Sequence, residues 1–396
     1  MTSRLITWVA ILIVAVGAFS CGGPPKDIEV IDLTSAPGEG FMPLFNGTDF
    51  TGWDIGVDDP GEGAWRIEDG IIHCLGEPRT PYLITTDRSY GNYDFYTDFM
   101  VTPECNSGIF HHVPSAGRQS FIGFETQILD DRGKPTDPNS SGSIYDVLTP
   151  LHSAMKRPGE WNQYRVRIEW PSVKVWLNGT LVQDADFSTH PRLKYRMLEG
   201  PFGLSNHGSE AWFRNMWVKD LPPSGELEEL FNGVDLTGWT TVGDADWHVE
   251  DGMIVSSAGD GWLLSESEFD RFCLYAYADC DTLQQRSGAF HYRWKSPEQP
   301  GYRVDFYDYL DALEFTKQYG NKIPPDVISP IKSGWFLYRI ASGDRRSLAW
   351  LNEFPIVDNR LLGDDPRGRI AVHRTAADGV LRLKGIQIRR LPGPGI

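Results

Sequence analysis

The sequence predicts an all-β protein made of two tandem antiparallel β-sandwich domains, and three observations predict it. The phrase "LFNGTDFTGW" at 44–53 returns as "LFNGVDLTGW" at 230–239, which marks a duplicated unit. The 396 residues exceed one typical domain and suit two. Between Gly, Asn, Asp and Pro punctuation the chain runs in short alternating segments such as "YDFYTDFMV", "GIFHHV", "FETQIL", "YRVRIEW", "VKVWLNG" and "AWFRNMWVK". A period of two with aromatic enrichment is the pattern of strands. The one helical stripe, "DALEFTKQY" at 311–319, predicts a short helix in a long loop.

Taken in order, the chain begins with Arg4, an apolar run from Leu5 to Phe19 and then Ser20-Cys21. That run is shorter than the roughly 20 residues of a bilayer span and fits the core of a secretion signal. "GAFSC" resembles a bacterial lipobox, which implies export to the cell envelope and a lipid anchor at Cys21, on the periplasmic or outer-membrane face. Residues 1–21 are therefore expected as a signal peptide, and the Gly/Pro/acidic stretch 22–41 as a tether. "KDLPPSGE" at 219–226 punctuates the chain again, giving a first domain at 42–221, a linker at 222–227 and a second domain at 228–392.

The repeat extends past its first phrase. "WRIEDGII" (65–72) answers "WHVEDGMI" (247–254), "NSGIFHH" (106–112) answers "RSGAFHY" (286–292), and "FETQILD" (124–130) answers "YRVDFYD" (302–308). "WNQYRVRI" answers "WFLYRIAS", "WLNG" answers "WLNE", and "GLSNH" answers "RIAVH". The shared lead-in phrase is expected to be scaffold, with Asn46 and Asp49 shaping a turn and Trp53 filling the core.

A formal net charge of −17 argues against nucleic acid and anionic membrane surfaces as partners. Any membrane contact is assigned to the anchor alone, and oligomeric state stays open. Apart from Cys21, each half holds two cysteines, Cys74 and Cys105, then Cys273 and Cys280. They fit either one internal disulfide per half or four small buried thiols. No Cys-x-x-Cys or His/Cys cluster suggests a metal site.

"LFNGTDFTGW", "CNSGIFHH", "FETQILD", "SGSIYD", "RPGEWNQYRVRI", "WLNG" and "GLSNHGSEAWFRNMWVKDL" together resemble the 3-keto-disaccharide hydrolase domain family, strongly over 42–221 and more weakly over 228–391. The resemblance implies a concanavalin-like jelly-roll β-sandwich, distantly similar to family 16 glycoside hydrolases, in two copies. It also implies an oligosaccharide or glycoside substrate already oxidised to a ketone at C3. Such a ketone acidifies the C2 hydrogen, so a base can form an enolate that expels the C1 oxygen, and water then adds to the enone. That chemistry needs a base at C2, a cation or donor at the ketone oxygen and an acid at the leaving oxygen.

Alternation in "FETQIL" sends Phe124, Thr126 and Ile128 to one face and Glu125 and Gln127 to the other. Glu125 is a candidate catalytic carboxylate and Gln127 a groove-lining contact. His207 matches the family's "LQxHG" pattern, with Ser205 replacing its Gln, and shares the catalytic assignment with Glu125, base and acid left open between them. Arg214 is the candidate cation for the enolate oxygen. His111 and His112 point to opposite faces, so at most one lines the groove, and His112 is taken as a substrate contact. Asn106, Tyr145, Trp161 and Asn162 match family positions and are further candidate contacts. The polar loop 130–142 offers Asp130, Asp131 and Asp137 to Ca²⁺ without an ordered ligand spacing, so no cofactor is assigned.

The second half loses most of this set. Arg286 answers Asn106, Arg303 answers Glu125, Asp305 answers Gln127, Phe336 answers Asn162 and Glu353 answers Gly179, while His373 and Lys384 align with His207 and Arg214. Chemistry is therefore expected in the first domain and an accessory or glycan-binding role in the second. Neither half has the Glu-x-Asp-x-x-Glu strand of a retaining glycosidase of this fold type. The competing class is a cell-surface glycan-binding protein with no chemistry in either domain.

Overall fold

Each half of the chain folds into a pair of antiparallel sheets in the computed structural model, which describes residues 38–57, 63–279, 288–306, 335–361, 366–375 and 379–391. The leader, the tether up to residue 37, Cys280 and the helix expected at 311–319 lie outside the described residues.

In the first domain an eight-stranded sheet runs Thr180–Asp186, Ser172–Leu177, Asn162–Glu169, Tyr93–Val101, Ala211–Asp220, Ile71–Cys74, Trp65–Glu68, with Met42–Pro43 pairing on Ala211–Asp220. The facing five-stranded sheet runs Trp53–Asp54, Leu83–Thr86, Gly203–Ser205, Asn106–His111, Phe124–Leu129. Its counterpart in the second domain is Trp239–Gly243, Gly261–Phe269, Gly368–Arg374, Gly288–Trp294, Tyr302–Asp305, the same order built again. Among the described residues the only helix is Gln119–Ile122. The inward halves of the alternating strands, among them Phe95, Phe99, Ile109, Tyr164, Val166, Leu204 and Phe213, form one core between the two sheets.

The repeated phrase is a turn built identically twice. Asn46 Oδ1 accepts the N–H groups of Thr48 and Asp49 at 2.8 and 3.0 Å, and Asp49 Oδ1 accepts that of Thr51 at 2.9 Å. Asn232 and Asp235 repeat these bonds to Val234, Asp235 and Thr237. Such side-chain bonds stand in for backbone turn bonds. Each turn delivers a buried Trp whose indole N–H donates to a carbonyl nine residues earlier, Trp53 to Leu44 and Trp239 to Leu230. Truncating a buried aromatic of this kind costs about 3–5 kcal/mol.

Strand pairing corrects two of the alignments between the halves. Phe290 lies in the second core as Ile109 lies in the first, so His291, which pairs with Arg303, occupies the place of Phe110, which pairs with Glu125. Ala371 pairs with His291 as Gly203 pairs with Phe110, which puts His373 at the position of Ser205 and not of His207. A residue alignment does not see such offsets, because inside and outside are set by the neighbouring strand.

Cys74, Cys105 and Cys273 are free and buried. A further apolar cluster joins the domains: Ala116, Ile122, Tyr195 and Met197 of the first pack with Cys273, Tyr275, Tyr277, Leu337 and Ala341 of the second.

Candidate active site

The alternation of Phe124–Leu129 holds. Phe124 and Ile128 enter the core, and Thr126 bonds to His111 inside it, so Glu125 and Gln127 face outward from the five-stranded sheet. They are nonetheless only 4% and 3% exposed. The segment after the 130–142 loop runs along this edge, where the Tyr145 N–H donates to the Glu125 carbonyl at 3.0 Å and the Gln127 N–H donates to the Ser143 carbonyl at 3.2 Å. Tyr145 thereby runs beside the Glu125 strand, and the Arg118 guanidinium is close enough to act on the Glu125 carboxylate.

The Glu125 side chain lies across Gly108 on the neighbouring strand. A Cβ on Gly108 would sit 2.2 Å from Glu125 Oε1, so the missing side chain is what makes room for the carboxylate. No hydrogen-bond donor meets that carboxylate among the described residues. Burial raises its pKa to about 8, with the Arg118 guanidinium opposing the shift. Arg118 itself lies over the Phe121 ring at 3.9 Å and reaches toward Tyr145 at 6.0 Å.

His207 follows Gly203–Ser205 by two residues. Its Nε2 shares a 3.1 Å hydrogen bond with the Tyr82 hydroxyl, the two rings meet edge-on at 5.0 Å, and Tyr82 in turn meets Phe110 edge-on at 6.5 Å. The loop is held by Asn206, whose side chain accepts the Gly208 N–H at 2.9 Å and donates to the Pro78 carbonyl at 3.1 Å. Gly108 neighbours Ser205 across the sheet, where the Ser205 hydroxyl meets the Gly108 carbonyl. Ser205, two residues before His207, thus lies one strand spacing, roughly 4.8 Å, from Gly108. A chain of contacts links Glu125 to His207: Glu125 pairs with Phe110, whose ring meets Tyr82, which bonds to His207. Asn106 begins the Gly108 strand on the same face, and its side-chain oxygen is buried with no hydrogen-bond partner.

Four expected members lie elsewhere. His112 leaves its strand at φ 53, and its Nδ1 and Nε2 each sit 3.0 Å from a backbone carbonyl, of Met197 and Gly91, so it braces the chain and lines nothing. Its neighbour His111 is in the core between the Tyr93 hydroxyl at 2.7 Å and Thr126 at 3.0 Å. Burial lowers the pKa of both imidazoles, that of His112 to about 4. Asn162 is fully buried in loop-holding bonds with Lys156, Glu160 and Asn178.

Arg214 and Trp161 belong to the other sheet. Phe213 points into the core, so Arg214 points out of the eight-stranded sheet, about 10 Å or more through the sandwich from the Glu125 strand. There its guanidinium stacks on Trp161 at 3.8 Å and approaches Asp98 at 3.4 Å. Lys384 stacks on Trp335 at 4.1 Å in the second domain. A cation stacked over Trp thus recurs in both copies, on the sheet opposite Glu125 in the first.

Sequence reasoning missed Arg118 and Tyr82. Neither sits in a pattern that announces it: Arg118 precedes a one-turn helix, and Tyr82 reaches His207 only because the Leu83–Thr86 and Gly203–Ser205 strands pair. In the 130–142 loop the carboxylates turn onto backbone. Asp130 accepts the Glu104 N–H, Asp131 that of Ser141 and Asp137 that of Asn139. Among the described residues no group of three or more His, Cys, Asp or Glu side chains is arranged to hold a metal.

The second domain carries different chemistry on the equivalent face. Arg303 pairs with Asp305 at 2.5 Å, and Trp262 stacks on His373 at 4.1 Å with His291 edge-on at 4.8 Å. Among the described residues no carboxylate lies alone there as Glu125 does.

A family model described as the 3-keto-alpha-glucoside-1,2-lyase-like domain matches this chain twice, over residues 40–219 and 226–389. A 3-keto-disaccharide hydrolase of Bacteroides thetaiotaomicron is 26% identical over 231 residues, covering 46% of this chain and 79% of that protein. Two solved structures of candidate glycosyl hydrolases from Parabacteroides distasonis are 27% and 25% identical, with TM-scores of 0.40 and 0.41. Each match covers 46% of this chain, and 95% and 99% of the respective relatives.

Proposed function

The chain belongs to the 3-keto-alpha-glucoside-1,2-lyase-like domain family, and from that membership we propose that its first domain cleaves 3-keto-glycosides by elimination at C1–C2. The observation that carries the reading is Glu125: a buried carboxylate with no hydrogen-bond donor among the described residues, its pKa raised to about 8, joined through Phe110 and Tyr82 to the His207 imidazole. At neutral pH a carboxyl group in that state is protonated, which suits an acid and not a base.

His207, oriented by the Tyr82 hydroxyl, takes the C2 proton. The electron pair moves onto the C3 ketone oxygen, where Arg118 is the nearby cation in place of Arg214. The C1–O bond then breaks, and the leaving oxygen takes the proton of Glu125. Water adds across the resulting C1=C2 bond, its proton going to C2 and its hydroxyl to C1. Gln127, Asn106 and Tyr145 are the sugar contacts that remain on this face. The second domain is read as non-catalytic, and residues 1–21 as an export signal with a lipid anchor at Cys21.

Incubating the purified full chain with an oxidised and an unoxidised disaccharide tests the class. Cleavage of the oxidised sugar alone, abolished in Glu125→Gln and His207→Ala, supports the reading; equal turnover by both variants refutes it. Retention of both sugars without turnover selects the glycan-binding alternative.

A further inference from the structure

Glu353 stands where the first domain has Gly179 in the "WLNG" turn, and its carboxylate reaches into the other domain. Glu353 Oε2 accepts the backbone N–H of Arg118 at 3.0 Å. Three residues earlier the Ser115 N–H donates to the Tyr277 hydroxyl at 3.1 Å. Between them Gly117, at φ +77, packs so tightly that a Cβ there would lie 2.6 Å from Asn352 Cβ. Further along, the Tyr275 hydroxyl donates to the Arg196 carbonyl at 3.1 Å, and Arg196 donates to the Gly123 carbonyl at 2.8 Å, one residue before the Glu125 strand. Arg339 donates to the Tyr195 carbonyl at 3.2 Å and to that of Asn352 at 3.1 Å.

The surface that makes these contacts is the outer face of the second domain's large sheet. It is apolar there, with Cys273, Tyr275, Tyr277, Leu337 and Ala341 buried against Ala116, Ile122, Tyr195 and Met197. The equivalent outer face of the first domain carries Asp94, paired with Arg165 and Arg167. The second copy has thus exchanged a charged face for a docking face, and the segment it grips is the one that carries Arg118 and leads into Glu125. A one-residue clamp at the Arg118 amide fixes where the guanidinium side chain starts.

We propose that the second domain is a positioning element for the first domain's site, with Glu353 the positioning residue that holds the Ser115–Arg118 segment so that Arg118 stays beside Glu125. The proposal rests on the reading of Glu125 and Arg118 given above. It assigns the second domain a task that needs no ligand of its own.

The test compares Glu353→Ala with Glu353→Gln in the full chain, since a Gln side-chain oxygen still accepts the Arg118 N–H. Turnover of a 3-keto-disaccharide and the titration of a ¹³C-labelled Glu125 carboxyl are measured for each, together with melting temperature. Misplacing one group by about an ångström can cost up to 10²-fold in rate. The expected result is a fall of about tenfold or more in kcat for Glu353→Ala, KM little changed, a Glu125 titration moved upward as Arg118 withdraws, and recovery of both in Glu353→Gln. Equal behaviour of the two variants, whether both intact or both impaired with a lowered melting temperature, overturns the proposal. Should Glu125→Gln keep full turnover, the catalytic reading fails by itself; the Glu125 titration then decides the clamp, a shift in Glu353→Ala alone supporting it and no shift overturning it.

Discussion

Replacing Glu125 by Gln should make the protein more stable while disabling it. Burial raises the Glu125 carboxyl from the ordinary 4.5 to about 8. The unfolded chain therefore releases this proton from about pH 4.5 upward while the folded chain keeps it, so the folded state loses ground as pH rises and stops losing it above about 8. At pH 7 the interval is about 2.5 units, and at about 1.4 kcal/mol per unit the carboxyl costs on the order of 3 kcal/mol. Gln has the shape of the protonated acid and does not titrate. Urea denaturation of both proteins at pH 4.5, 7 and 8.5 should show near-equal stability at the lowest pH and a Gln advantage of about 3 kcal/mol at pH 7, or several degrees in melting temperature. Parallel stability curves, or a less stable Gln protein at pH 7, would mean an ionised and paired carboxylate, and the electrostatic basis of the site would be wrong.

Gly108→Ala places a Cβ 2.2 Å from Glu125 Oε1 and 2.9 Å from its Cδ; circular dichroism should report an intact fold while turnover falls on the order of 10²-fold from the displaced carboxylate. Tyr82→Phe removes the hydroxyl on His207 Nε2 and should lower kcat about tenfold with little change in melting temperature. Arg214→Ala should leave turnover within about twofold and cost about 1 kcal/mol of stability by losing the Trp161 stack, whereas Arg118→Ala should abolish turnover; the opposite ranking would return Arg214 to the site.

Local pattern carried much of this protein. The duplicated phrase located two domains because its Asn and Asp side chains bond within three residues, a geometry that needs no tertiary partner. Strand parity alone separated Glu125 and Gln127 from Phe124 and Ile128, since a period of two is a property of one strand. What parity leaves open is which sheet a strand joins and what covers its outer side. Arg214, the expected cation for the enolate oxygen, faces outward from the far sheet. His112 left its strand at a positive φ. His373 matched His207 in letters and Ser205 in space, because its register is set by His291 beside it. The pKa of Glu125, the approach of Arg118 and the reach of Glu353 across the domain boundary are through-space properties of groups brought together only when the sheets close and the two copies dock, so no window of sequence contains them.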